Sequence, residues 1–151
     1  MKPFLIALLL MCWSPLAPAA ESQLPWLTSL PEAKAKAKIS GKMIFLDFTG
    51  SDWCAVCILL NKQVFQTPEF AAYARENLEL VEVDFPHDKE QTESQKKAND
   101  ALQDKYRIEY YPTLVVLNSN GRKLGTLNYN GEGPQAFIER IQKLAPRKKK
   151  R

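Results

Sequence analysis

The sequence predicts an α/β domain: a central mixed four-stranded sheet flanked by helices on both faces. Three observations carry this. The run "KMIFLDF" (42–48) is apolar almost without a break, as in a strand covered on both sides. Strand-like and helix-like patterns then alternate, and the two early strand–helix–strand crossovers argue for parallel pairing. The last two strand patterns are separated only by "SNG", a turn signal that joins antiparallel neighbours.

Each element has its own warrant. After a lead-in, "ESQLPWLTSL", Pro31 opens "PEAKAKAKIS", whose alanines and lysines suit a helix that Gly41 stops. The strand 42–48 follows, and a tight segment from Thr49 to Trp53 leads into a helical pattern from Cys54 to Phe65. "QTP" breaks that pattern, which resumes as "PEFAAYARENL". "LELVEVDF" (78–85) alternates as a second strand. "PHDKEQTESQKKANDALQDKYRI" is polar, with a late apolar trace at Ala98, Ala101, Leu102 and Tyr106, and reads as an exposed loop and then a surface helix ending near Tyr106. "PTLVVLN" (112–118) and "RKLGTLNYN" make the closing hairpin. The last helix, "PQAFIERIQKL", sets Phe137, Ile138, Ile141 and Leu144 on one face.

Length and composition bound the rest. A chain of 151 residues gives one domain with a real core, and 45% apolar with 25% charged residues is an ordinary globular balance. "MKPFLIALLLMCWSPLAPAA" has Lys2, an apolar run from Phe4 to Trp13, and small residues at Ala17 and Ala19. That is the layout of a secretory signal peptide over residues 1–19, the run being short for a bilayer-spanning anchor, its rival. Met11 before Cys12 is too bulky for a lipidation site. The domain is then 20–146, with a basic tail at 147–151. Of the 21 basic residues, Lys2 lies in the leader and five in "RKKKR", leaving 15 against 17 acidic ones. The body is slightly acidic and the basic pI belongs to the tail, which argues against nucleic-acid binding.

Removal of Cys12 with the leader leaves Cys54 and Cys57, in "GSDWCAVCILLNK". A metal site, a structural staple and a redox pair all fit a lone CxxC. As a staple, a four-residue loop contributes roughly 2 kcal/mol, against about 4.7 kcal/mol for 100 residues. Zinc needs four ligands, and beside this pair there is one histidine, His87, in a polar stretch where exposure is the bland expectation. A c-type haem site needs histidine after the second cysteine, where Ile58 stands. Disulfide exchange needs one thiolate to attack and a second thiol to release the mixed disulfide. Cys54 at a helix N-terminus meets free backbone N–H groups that favour S⁻, and Cys57 lies on the same helix face. Cys54 is the expected nucleophile and Cys57 the resolving thiol.

A wider pattern surrounds the pair. "WCAVC" opens a helix after a buried strand, "YRIEYYPTLVVL" puts Tyr-x-Ile ahead of a Pro-Thr-Leu strand start, and a hairpin, a glycine and a helix close the chain. Over roughly residues 26–145 this resembles the thioredoxin superfamily. "LDFTGSDWC" and "VFQTPEF" are closer still to the exported bacterial thioredoxin-like, DsbH-like proteins. The resemblance implies a thioredoxin-like fold and a thiol-disulfide oxidoreductase. It implies a cis Pro112 facing the cysteines, with Tyr111 shaping a groove for an extended substrate; an ordinary trans proline at a strand start is the alternative. Trp53 would pack beside the site as a lid, or else be a core tryptophan. Asp47 matches the family's buried acid in strand context. "DFTGSDWC" has one residue more than thioredoxin between that acid and the first cysteine, so a strand-end aspartate bonding to a loop is the rival reading.

Electron flow is read from charge. Ala55 and Val56 offer neither charge nor donor, and Asp52 raises the thiol pKa by like-charge repulsion. Less thiolate stabilisation makes a more reducing couple, so the expectation is a reductase. An oxidase or isomerase, or a non-catalytic peptide-binding module, are the alternatives. The expected cofactor is none beyond the Cys54–Cys57 disulfide, and no metal. Expected partners are protein substrates with disulfides or thiols and a membrane electron donor, with no nucleic acid. The expected state is a monomer in the periplasm or another exported compartment.

Overall fold

A computed structural model describes residues 24–146; the signal peptide and basic tail expected from the sequence lie outside them. The element order is α1 (Leu30–Ser40), β1 (Met43–Thr49), α2 (Ala55–Leu60), a π-helical turn (Asn61–Phe65), α3 (Pro68–Asn77), β2 (Leu78–Asp84), α4 (Glu93–Tyr106), β3 (Thr113–Leu117), β4 (Lys123–Asn128) and α5 (Pro134–Leu144).

The caps explain the boundaries. Ser29, Thr67 and Thr92 each accept a backbone N–H from the first turn of α1, α3 and α4. Gly41 ends α1 at φ 75°, in the left-handed region. The π-helical turn adds a wide loop of backbone just before Thr67 and Pro68 restart the helix, a detail that the apolar spacing of 54–65 does not reveal.

The sheet order is β2-β1-β3-β4. β1 is central and buried at every position. It pairs parallel with β2, Asp47 lying beside Glu82 and Thr49 beside Asp84. It pairs antiparallel with β3, Phe48 lying beside Thr113. The second crossover therefore does not give the parallel pairing expected of it. β3 starts at the end of the sheet where β2 stops, because α4 and the loops around it return the chain to that end.

The two faces differ in chemistry. Phe45, Phe65, Phe70 and Phe137 pack edge-on and tilted between the sheet and α3 and α5, with ring centroids 4.9 to 6.4 Å apart. Truncating one of these fully buried rings to alanine costs about 3–5 kcal/mol. The other face is mostly aliphatic, with Ile44, Leu46, Val81 and Val115 under α1 and α4. Alternation along β1 puts Asp47 on the aromatic face, in line with Met43 and Phe45. Ahead of α1, Leu27 bridges to Val81 on the outer edge of β2, and Trp26 packs on Phe45 and Phe65.

Candidate active site

β1 and β3 bring two loops to one end of the sheet: the Gly50–Trp53 loop after Thr49, and the loop that delivers Pro112 to β3. Gly50 accepts the N–H groups of Trp53 and Cys54 in a tight turn. A Cβ on Gly50 would come within 2.4 Å of the Trp53 ring, so only glycine lets the indole lie over the backbone here. The turn delivers Cys54 to the N-cap of α2.

Cys54 and Cys57 form a disulfide, their Cα atoms 5.2 Å apart. Cys57 N–H donates to Cys54 Sγ at 3.2 Å, so the first sulfur occupies the helix-capping position. Both cysteines are largely covered, Cys54 being 7% exposed and Cys57 4%. Trp53, Val56 and Ile58, which flank the two cysteines in the chain, remain exposed, as does Tyr110 just before the Tyr111–Pro112 bond.

The loop after β2 is bound onto this turn. Asp52 accepts backbone N–H groups from His87, Asp88 and Lys89 at 2.8 to 3.1 Å, and these bonds hold its carboxyl below the ordinary aspartate pKa. Trp53 Nε1 donates to the Phe85 carbonyl at 2.7 Å, and its ring stacks on His87 with centroids 4.6 Å apart. Ser51 donates to both carboxylate oxygens of Asp84, and Lys89 Nζ donates to Ser51 Oγ. Trp53 is thus a surface ring beside the cysteines and not a core residue.

Tyr111–Pro112 is a cis peptide bond. Pro112 is buried at the start of β3, while Tyr111 stacks on Phe85, meets Trp53 edge-on and donates its hydroxyl to Gln103.

Asp47 behaves unlike Asp52. It is 6% exposed and its Oδ1 has no hydrogen-bond partner among the described residues, so the rival reading of a strand-end aspartate tied to a loop finds no support at that oxygen. Burial, then the charges of Glu82 and Asp84, push its pKa well above the usual carboxyl range. Asp47 and Cys57 line one cavity of about 120 Å³, together with Trp26, Asn61, Phe65 and Glu82. No cluster of three or more His, Cys, Asp or Glu side chains suited to a metal occurs among the described residues.

Sequence reasoning missed Glu82 and the stack under Trp53. The alternation of Leu78, Leu80 and Glu82 places Glu82 on the face of Phe45 and Asp47 only once the strand register is known. His87 carried no signal of its own, lying 34 residues from Trp53 in a polar stretch.

A disulfide at the head of the helix that follows the central strand, in a sheet of this order, defines a thiol-disulfide oxidoreductase. A family profile described as Thioredoxin-like matches residues 25–119, and the chain belongs to that family. It is 36% identical over 125 residues to "Disulfide bond reductase DsbH" of Chlamydia pneumoniae, covering 83% of this chain and 75% of that one. It is 30% identical over 124 residues to "Thioredoxin-related protein DsbJ" of the same organism, of which it spans only 36%. A solved structure titled "DsbH Oxidoreductase" superposes with a TM-score of 0.78 at 33% identity, covering 87% of this chain and 91% of that one.

Proposed function

We propose that this oxidoreductase reduces disulfides in protein substrates, with Cys54 as nucleophile and Cys57 as resolving thiol. The observation that carries the direction is the Asp52 carboxylate, held as an anion by three backbone N–H groups two residues before Cys54. A fixed negative charge there disfavours the Cys54 thiolate and makes the couple more reducing. Ala55 and Val56 add no compensating charge. The name of the Chlamydia relative, a disulfide bond reductase, points the same way.

In the reduced protein the Cys54 thiolate attacks one sulfur of a substrate disulfide, forming a mixed disulfide and expelling the other sulfur as a thiolate. Cys57 then gives its proton to a base and attacks Cys54 Sγ, which releases the second substrate thiolate. Two electrons leave the cysteine pair, and the two substrate thiolates end as thiols. Asp47 is the base: it lines the cavity with Cys57, and its raised pKa lies nearer that of a thiol than an ordinary carboxyl's does.

The exposed Val56, Ile58 and Tyr110 suit an extended, partly unfolded chain, with Trp53 as its lid. Tyr111 and Pro112 shape the groove that holds it. The Cys54–Cys57 disulfide is the only redox group this scheme requires. Regenerating the dithiol outside the cytoplasm requires a membrane protein that carries reductant outward. The leader-like residues 1–19 support an exported domain, which we take to act as a monomer. Among the described residues no helix is long and apolar enough to cross a membrane.

The test is the equilibrium reduction potential of the Cys54–Cys57 couple in glutathione and dithiothreitol buffers. A value near −270 mV, the thioredoxin end, is expected. A value near −120 mV, the strong-oxidant end, would overturn the direction.

A further inference from the structure

The proton that Asp47 takes from Cys57 has to leave a site that is almost closed. Asp47 is 6% exposed, so almost none of its own surface meets bulk water. Glu82 stands beside it. The parallel register makes the two residues direct neighbours on adjacent strands, on the same face of the sheet, and both carboxyls line the 120 Å³ cavity that Cys57 borders. That volume admits water. Glu82 is half-buried, so it alone of the two reaches both the cavity and solvent.

We propose that Glu82 is the outer half of a two-carboxyl proton relay, passing to solvent the proton that Asp47 takes from Cys57. The proposal rests on the reading of Asp47 as the base. Each cycle balances: one proton moves from Cys57 Sγ to the Asp47 carboxylate as the Cys57–Cys54 bond forms and the mixed disulfide breaks. It moves on to the Glu82 carboxylate, directly or through water, and then to solvent, from which the departing substrate thiolate is protonated. Asp47 returns to its anionic form and no electrons pass through either carboxyl.

The surroundings favour a shared proton. Two carboxyls side by side in a half-closed cavity resist ionising together, and their titrations belong to the pair. Burial and Asp84 raise the Glu82 pKa, while Lys89, on the loop after β2, opposes them. Beside the two carboxyls the cavity is lined by Cys57 from α2 and by uncharged residues, the polar ones being Thr49 and Ser51 at and just after the end of β1, Asn61 from the π-helical turn and Trp26 from the lead-in. Among the described residues no cation lines the cavity to hold both carboxyls ionised. The main chain fixes Glu82 in place, its N–H donating to the Leu27 carbonyl at 2.8 Å. Glu82 acts through Asp47 and is a positioning residue for the proton, not a catalytic one.

The experiment is a single-turnover oxidation of the reduced protein by excess hydroxyethyl disulfide, followed by stopped-flow tryptophan fluorescence from about pH 5 to about pH 9, a span around the thiol and raised-carboxyl range. Wild type is compared with Glu82→Gln, Glu82→Asp, Glu82→Lys and Asp47→Asn. Glu82→Gln is expected to slow resolution of the mixed disulfide about tenfold near neutral pH, part of the usual acid–base contribution. Loss of the neighbouring negative charge should also move the midpoint of the pH profile down by about one pH unit. Glu82→Lys should move it further, and Glu82→Asp should restore the wild-type midpoint. Should Glu82→Gln not fold, Glu82→Lys carries the same comparison. A Glu82→Gln profile that superposes on wild type while Asp47→Asn is slow would overturn the relay and leave Asp47 as the base. Equal slowing at every pH with an unmoved midpoint would also overturn it, since a structural role acts that way. Wild-type behaviour in both Asp47→Asn and Glu82→Gln would overturn the base itself.

Discussion

Asp47 on β1 and Asp52 in the tight turn that follows lie five residues apart, and the protein treats them in opposite ways. Asp52 sits at the surface, filled with backbone N–H donors from the loop after β2, and stays charged below the usual carboxyl range. Asp47 sits under the aromatic face with an oxygen that bonds to nothing, and is pushed towards its neutral form. One environment makes an anion that also tethers a loop; the other makes a carboxyl whose neutral form is favoured by burial and by the charges of Glu82 and Asp84. The difference lies in the supply of donors and water, not in the side chain.

That contrast can be broken at its centre. Cys54→Ser removes the attacking sulfur, whose charge Asp52 opposes and whose mixed disulfide Cys57 and Asp47 resolve, and turnover on a disulfide substrate should fall to the uncatalysed background. Cys57→Ser should instead trap a covalent mixed disulfide, visible by mass spectrometry. Residual turnover in Cys54→Ser would mean that the pair is not the reacting couple.

Asp47→Asn should slow the resolving step by about 10²-fold or more, the usual worth of a general base. It should also change stability with a definite sign. The folded pKa of Asp47 lies above its unfolded value, so the native state keeps a proton that the unfolded chain has lost. Stability from this group therefore falls as pH rises from about 4 through the raised pKa. Thermal unfolding should show Asp47→Asn gaining on wild type across that window, and parallel Tm curves would refute it.

Gly50→Ala drives a methyl into the Trp53 ring. Displacing the indole from Phe85 and His87 should cost about 1 kcal/mol or somewhat more, read as a lower Tm and altered tryptophan fluorescence.

The smallest effect belongs to Asp52. Its folded pKa lies below its unfolded value, so its contribution is present above about pH 4 and is lost as pH falls through the lowered pKa. Asp52→Asn should loosen the 85–89 loop, measured as faster amide exchange at His87, Asp88 and Lys89, and shift the reduction potential slightly in the oxidising direction. A shift towards more reducing values would reverse the electrostatic argument for a reductase.

Much of the fold could be read locally. Caps, the glycine stop after α1 and the apolar faces of β1 and α5 are written within a few residues of where they act. The cysteine pair is likewise local. The antiparallel entry of β3 was not legible, because it depends on where the polar stretch after Phe85 returns the chain. Glu82 was hidden for a similar reason: its partner is 35 residues away, and strand register is a property of the folded sheet. Asp52 was read correctly as a charge, but its role as a loop tether needed three donors that composition does not show.

The short lead-in at Leu27 has a consequence for solubility. Its N–H and carbonyl take up Leu80 and Glu82 on the outer margin of β2, so that margin cannot template another chain there. At the opposite margin, β4 begins with Lys123 and carries a register shift opposite Val116 and Leu117, devices that discourage strand addition. For the extended substrates proposed above, a sheet protected at both margins leaves less backbone for a client strand to add to, which separates exchange at the cysteines from edge-to-edge aggregation.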